Sequence, residues 1–325
     1  MISKISISTC ILLLVLQLGV RGQSAPHTVK NLRITILSTM LAQQGIGEWG
    51  FSALVEADGR RILFDAGGRE GTVLTNCAEL KIDLTDVQDL ILSHNHDDHT
   101  KGWLSLRRNL MKRNPKALSV THVGEGIFLP RVAADGKIER DRQEDSIAYV
   151  TTGGRVIVYP GFREIYPGIY LTGPVPRAYP EKNYGMGNQV MKMLDVKGQT
   201  IDDNIPEDMS MLIRTGKGLV LLSGCGHSGI INTVQYGTSK VPGPAVFAAI
   251  GGFHLLNNTE AQLQWTADQL KQVDTKYFMG AHCTGLEAVY SLRSLLGLPR
   301  SACIVGAVGT VFDIDKGFIT GPLNR

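Results

Sequence analysis

The stretch Asp89-Leu90-Ile91-Leu92-Ser93-His94-Asn95-His96-Asp97-Asp98-His99 decides how this chain is read. An apolar Leu/Ile run, the pattern of a buried strand, passes directly into His-x-His-x-Asp-His, which packs three imidazoles and two carboxylates into six residues. On extended chain, residues two apart point to the same side. His94 and His96 can therefore converge on one cation, while Asp98 and His99 turn toward a second position after the bend. Imidazole nitrogen with a carboxylate oxygen suits Zn2+, Fe or Mn, and the lack of thiolate in this stretch argues against a closed structural zinc site. Surface histidines clustered by chance would have no reason to follow a strand that reads as buried.

Outward from this stretch, apolar and β-branched runs recur at residues 32–37, 51–55, 62–64, 90–92, 211–213, 219–222 and 245–250, each bounded by Gly, Asp, Asn or Ser, and these predict strands. Residues 73–80, 104–112, 260–273 and 286–296 carry apolar side chains at helical spacing. Strand and helix runs in both halves, with no repeat period, imply an α/β sandwich rather than a helical bundle, and a single domain because no linker divides the chain. The Gly- and Pro-rich middle, at about residues 124–206, has a looser pattern and reads as a cover inserted into that domain. Within it, residues 137–145 (Lys-Ile-Glu-Arg-Asp-Arg-Gln-Glu-Asp) form a mixed-sign run that reads as a solvated face.

The chain has 325 residues, 33 Lys plus Arg against 30 Asp plus Glu, and 43% hydrophobic residues, a balance that excludes a disordered class. A net charge of +3, scattered along the chain, gives no basic patch for nucleic acid or an anionic membrane, and the expected partner is a small-molecule substrate. Residues 1–22 read as an export signal: Lys4 opens it, residues 5–20 are largely apolar but broken by Ser6, Ser8, Thr9 and Gln17, and Val20-Arg21-Gly22 offers a cleavage site. This predicts a periplasmic or extracellular protein, nearly neutral after cleavage, with residues 23–325 as its domain and no stable membrane association. An uncleaved anchor is the alternative. Cys10 leaves with the signal, and Cys77, Cys225, Cys283 and Cys303 are too few for a disulfide scaffold.

The His-x-His-x-Asp-His run, Phe64-Asp65-Ala66-Gly67 upstream of it, and Gly226-His227-Ser228-Gly229 and Ala281-His282-Cys283-Thr284-Gly285 downstream together resemble the metallo-β-lactamase superfamily over nearly the whole mature chain. The resemblance implies a four-layer αβ/βα sandwich with one or two metals at the edge of paired sheets. By position it implies His94, His96 and His227 at one metal, Asp98, His99 and His282 at the other, and Asp65 orienting the ligand loop through hydrogen bonds. Many members place a bridging Asp after the third histidine. Here the corresponding strand ends Ala249-Ile250-Gly251-Gly252-Phe253-His254-Leu255, without a carboxylate. The resulting unbridged six-ligand set is similar to that of one group of dizinc β-lactamases, and His254 reads first as a residue behind the ligands or against substrate, with a place among the ligands as the alternative. Residues 224–230, 251–255, 282–285 and 171–177 further resemble the branch named after the dihydropterin ribofuranosyl-aminobenzene phosphate synthase, departing from it at Gly226 and Pro174. Cys225 and Cys283, beside ligand histidines, read first as small packed groups, with a disulfide or a metal contact as alternatives.

The expected chemistry is metal-assisted hydrolysis. One or two divalent ions, Zn2+ first and Fe or Mn after it, would lower the pKa of water to about 7, so that hydroxide attacks an ester, lactone, lactam or phosphoester. Asp98 is the candidate catalytic carboxylate, holding a metal and orienting the nucleophile. Arg177 is the candidate grip for a substrate carboxylate or phosphate, and His122, Trp49, Tyr184 and Trp103 are candidate pocket residues. The competing readings are a β-lactamase, a transferase like the synthase of the resembling branch, and a catalytically idle metal- or ligand-binding protein. A diiron redox protein would call for the bridging carboxylate that is missing. No feature of the sequence speaks to oligomeric state.

Overall fold

The computed structural model describes residues 26–133, 135–181, 191–243 and 245–324; the expected export segment and Tyr184 lie outside them. Two large sheets dominate. The first runs, in hydrogen-bonded order, through strands Gly317–Ile319, Val311–Asp313, Leu32–Ser38, Ser52–Ala57, Arg60–Phe64, Asp89–Leu92, Val120–Gly124 and Arg155–Tyr159. The second runs through Cys303–Val305, Tyr277–Gly280, Val246–Gly251, Gly218–Ser223, Met211–Thr215, Ile169–Leu171 and Arg163–Tyr166. Every predicted strand and helix is present.

Strand side chains alternate between faces, and that period of two builds the layers. Ile62, Phe64 and Ile91 of the first sheet point inward against Met211, Ile213, Val220, Leu222 and Ile250 of the second, forming the central core. Leu63, Leu90 and Leu92 point the other way, onto Val73, Leu106 and Leu110 of helices Thr72–Glu79 and Trp103–Leu110. Leu212, Leu219 and Leu221 likewise point outward onto Ile231, Val234, Leu263, Leu270, Val289 and Leu292 of helices Ile230–Lys240, Glu260–Gln272 and Leu286–Leu296. The result is helices, sheet, sheet, helices. Strands buried on both faces have no polar alternation, which is why they read as continuous apolar runs.

Two of the expectations need correction. The middle of the chain is not simply an inserted cover: Arg155–Tyr159 extends the first sheet, while Arg163–Tyr166 and Ile169–Leu171 extend the second. Only strands Arg131–Val132, Ile138–Arg140, Lys192–Leu194 and Thr200–Asp202 form a separate small sheet. The mixed-sign run at 137–145 is not simply a solvated face either. Asp141 caps helix Arg142–Thr151 by accepting from the Gln143 N–H at 2.8 Å, and Arg142 is buried because its guanidinium reaches the carbonyl of Asn95.

In each large sheet four neighbouring strands are parallel, and the C-terminal ends of parallel strands are where an open α/β sheet presents loops to a ligand. His94 and His96 follow Asp89–Leu92, His227 follows Gly218–Ser223, His254 follows Val246–Gly251, and His282 follows Tyr277–Gly280. Four separate loops are thus delivered to one edge of the sandwich.

Candidate metal centre

The ligand loop is shaped by backbone bonds. His96 is extended and stands at the start of a short helix, Asp97–Thr100, where its carbonyl accepts the N–H groups of His99 and Thr100. Asp65 anchors the same loop: Oδ1 accepts the Ser93 N–H at 2.7 Å, while Oδ2 accepts the Ser93 hydroxyl at 2.8 Å and lies 2.7 Å from Nδ1 of His99. Fixing Nδ1 of His99 in this way presents Nε2 to the cavity. Asp65, His254 and His282 all hold left-handed backbones, at φ +57°, +48° and +48°, a conformation costly for residues with a Cβ and frequent at functional sites. The two glycine-rich loops are pressed together: a Cβ on Gly224 would sit 2.2 Å from the Ser93 hydroxyl oxygen, and one on Gly252 would sit 2.0 Å from the Gly224 carbonyl oxygen.

The rings of His94, His96 and His227 form a near-equilateral triangle with centroid separations of 4.6, 4.7 and 4.8 Å, each pair edge to face. Nε2 of His94 and of His96 is buried without a hydrogen-bond partner among the described residues, whereas Nδ1 of His94 is held by the Ser93 hydroxyl at 2.9 Å. Beside this triangle, Nε2 of His282 lies 3.1 Å from Oδ2 of Asp98 and 3.3 Å from Nε2 of His99. The donor atoms of Asp98, His99, Cys225 and His282 lie within 4.8 Å of one another, as do those of His94, His96 and Asp98 and those of His94, Cys225 and His227. Buried imidazole nitrogens with no proton acceptor, aimed at a carboxylate and more imidazoles, are the donor set of a transition-metal or zinc site and fit little else.

Electrostatics agree with that fit. Burial pushes His94 well below its ordinary value and His96 down to about 3, so both rings are neutral and able to ligate at neutral pH. Burial alone would raise the Asp98 carboxyl, but His99 and His282 beside it hold it below the usual carboxylate range. Burial alone would lower His99, but Asp65 and Asp98 raise it to about 9. Burial pushes the Cys225 thiol well above its usual range.

The cavity at this edge, about 480 Å³, is lined by His96, Asp98, His227, His254 and His282, with Trp49 at its mouth 4.8 Å from the His282 ring. All six proposed ligand residues therefore meet. Several other expectations change. His122 is not among the described residues lining the cavity; it is buried between strands, with Nε2 2.9 Å from Asp89 and Nδ1 2.9 Å from the Tyr159 hydroxyl. Trp103 is a core residue, donating to the Thr121 hydroxyl and packed on Tyr149. Arg177 spends its guanidinium on backbone, donating to the carbonyls of His227, Asn204 and Ile205, so it secures the His227 turn.

One feature escaped the sequence, and another is read there with a different emphasis. Arg140 and Glu139 line the cavity, with Nε of Arg140 3.3 Å from Asp97. Cys225 does not merely pack: its Sγ is 3.1 Å from Nε2 of His99 and 3.2 Å from Sγ of Cys283, and it belongs to three of the donor clusters. The sequence puts packing first for this cysteine and a metal contact among the alternatives, from its place two residues before His227; the turn between them has Gly226 at φ +63°.

A family model described as the metallo-beta-lactamase superfamily matches residues 50–161. The chain is 29% identical over 276 residues to the 7,8-dihydropterin-6-methyl-4-(beta-D-ribofuranosyl)-aminobenzene-5'-phosphate synthase of Methanocaldococcus jannaschii, covering 80% of this chain and 90% of that protein. It is 32% identical over 268 residues to an uncharacterized protein of the same organism, covering 82% of this chain and 93% of the relative. The solved structure of Tm1679, a metal-dependent hydrolase of the beta-lactamase superfamily, matches with a TM-score of 0.69 at 22% identity, over 86% of this chain and 98% of that one, a likeness of fold. Fold, ordered histidine loops and relatives agree, and the chain belongs to the metallo-β-lactamase superfamily.

Proposed function

We propose that this chain is a metal-dependent hydrolase that uses activated water to open an ester, lactone, lactam or phosphoester bond in a small molecule. The observation that carries this reading is the convergence of orphaned imidazole nitrogens of His94 and His96 with Asp98, His99, His227 and His282 at the floor of an open cavity. His94, His96 and His227 would hold one divalent ion, and Asp98, His99 and His282 a second, with Zn2+ the first choice on donor chemistry. When bound, such ions supply Lewis acidity: water ionises near neutral pH and a carbonyl or phosphoryl oxygen is polarised. The protein's own residues do the rest. Asp98 orients the attacking water and relays a proton to the leaving group, Asp65 keeps His99 in one tautomer, and Arg140 at the rim attracts an anionic substituent.

A transferase reading is favoured by a different observation, the similarity to a synthase over 80% of the chain. In that case the same centre would activate a group other than water. The test is turnover of a panel of chromogenic lactam, lactone, ester and phosphoester substrates by metal-defined protein, beside a synthase assay that follows the joining of a 6-methyl-dihydropterin donor to a ribofuranosyl-aminobenzene 5'-phosphate, the product named for that relative. Hydrolysis that disappears in His96→Ala supports the hydrolase; condensation without hydrolysis overturns it.

A further inference from the structure

We propose that the Cys225 sulfur is a ligand shared by the two metal positions, occupying the bridging role for which this chain has no carboxylate. The proposal rests on the two-metal reading above. Three protein donors, Asp98, His99 and His282, leave a fourth place at the second position, which a protein sulfur or an exogenous ligand can take. Cys225, 2% exposed, completes that group, since its Sγ lies within 4.8 Å of all three donors. The same sulfur lies within 4.8 Å of the donors of His94 and His227, which belong to the first position. One sulfur is thus common to both groups of donors.

The distances suit coordination. A sulfur about 2.3 Å and an imidazole nitrogen about 2.0 Å from one ion stand roughly 3.0 to 3.5 Å apart, for ligand angles from right-angled to tetrahedral. Sγ of Cys225 and Nε2 of His99 are 3.1 Å apart. Cys283 lines the same cavity, but its sulfur is grouped only with Cys225 and His254, apart from the donors of Asp98, His99 and His282, and stands 3.2 Å from the Cys225 sulfur. On binding, the Cys225 S–H bond breaks, the sulfur electron pair goes to the ions, and the proton leaves to solvent. A thiolate at the centre biases it toward zinc, cobalt or iron and against magnesium or manganese.

The test uses the full chain, stripped by chelation and titrated with cobalt(II) alone. Wild-type protein should bind two cobalt ions per chain with a near-ultraviolet thiolate-to-cobalt charge-transfer band. Cys225→Ser should lose the band and weaken the second ion by on the order of tenfold or more, while Cys283→Ser keeps the band. Retention of the band in Cys225→Ser, or its loss in Cys283→Ser alone, overturns the assignment. Cobalt bound without any such band in wild type overturns it while leaving the metal reading intact; no cobalt bound overturns both. If Cys225→Ser does not fold, zinc-edge X-ray absorption of wild type decides: a sulfur scatterer at about 2.3 Å is expected, and purely nitrogen and oxygen neighbours refute it.

Discussion

The backbone N–H of Asn95, between the first two histidines of the ligand loop, donates at 3.0 Å to Oε1 of Glu207, 112 residues further along the chain. Glu207 in turn accepts two bonds from Nη2 of Arg131, at 2.8 and 2.6 Å, and Arg131 also donates to Asp203 through Nε and Nη2. All three charged side chains are at most 1% exposed. The small sheet that carries Arg131 is thereby locked to the loop that carries His94 and His96.

Removing the cation from this network should be severe. Arg131→Met leaves two buried carboxylates without their partner, and a broken buried pair costs roughly 3–5 kcal/mol. Burial already raises Glu207 despite Arg131. Without the guanidinium its folded-state value rises further above the unfolded one, so the variant's deficit should be largest at neutral pH and shrink on acidification toward the ordinary carboxyl range. Urea unfolding at pH 7 and pH 5 measures it, and an unchanged midpoint would refute the coupling.

Acid should destabilise the metal-free protein through its neutral histidines. His96 goes from an ordinary value of 6.5 to about 3 in the folded state, so the unfolded chain takes up the proton first. Its contribution is present above about 6.5 and is lost as pH falls toward 3. Thermal denaturation of the metal-free His96→Asn variant should show a flatter decline over that window than wild type.

Asp65→Asn should preserve the fold and loosen the centre. The amide keeps one acceptor for the Ser93 bonds but loses the charge facing His99 at 2.7 Å. Metal affinity should fall on the order of 10–100-fold, read by competition with a chromophoric chelator.

Arg140 and Arg177 should separate in their effects. Arg140→Gln, at the cavity wall, should raise KM for an anionic substrate with kcat and stability little changed. Arg177→Gln, which removes donors from the carbonyls of His227 and Ile205, should cost about 1–3 kcal/mol of stability. Equal kinetic effects in the two variants would contradict this division.

The amino-acid order alone determined the parts that depend on local periodicity: the doubly buried strands, the amphipathic outer helices, and the His94–His96–Asp98–His99 presentation where a strand meets a turn. His227 and His282 entered through the family resemblance rather than through local pattern, and in the fold each follows a strand, Gly218–Ser223 and Tyr277–Gly280. Helix Ile230–Lys240 was missed because Asn232, Thr233 and Gln235 interrupt an apolar stripe that only the second sheet's outer face makes plain. What a side chain meets across the chain was decided by tertiary structure alone. Cys225 reaches His99 over 126 residues, Arg142 reaches Asn95 over 47, and His122 finds Asp89 rather than a substrate. A thiol, a guanidinium or an imidazole has the same local propensity whether it packs, caps or ligates. Only the convergence of strand ends from two sheets, which no window of sequence contains, sets which of these it does.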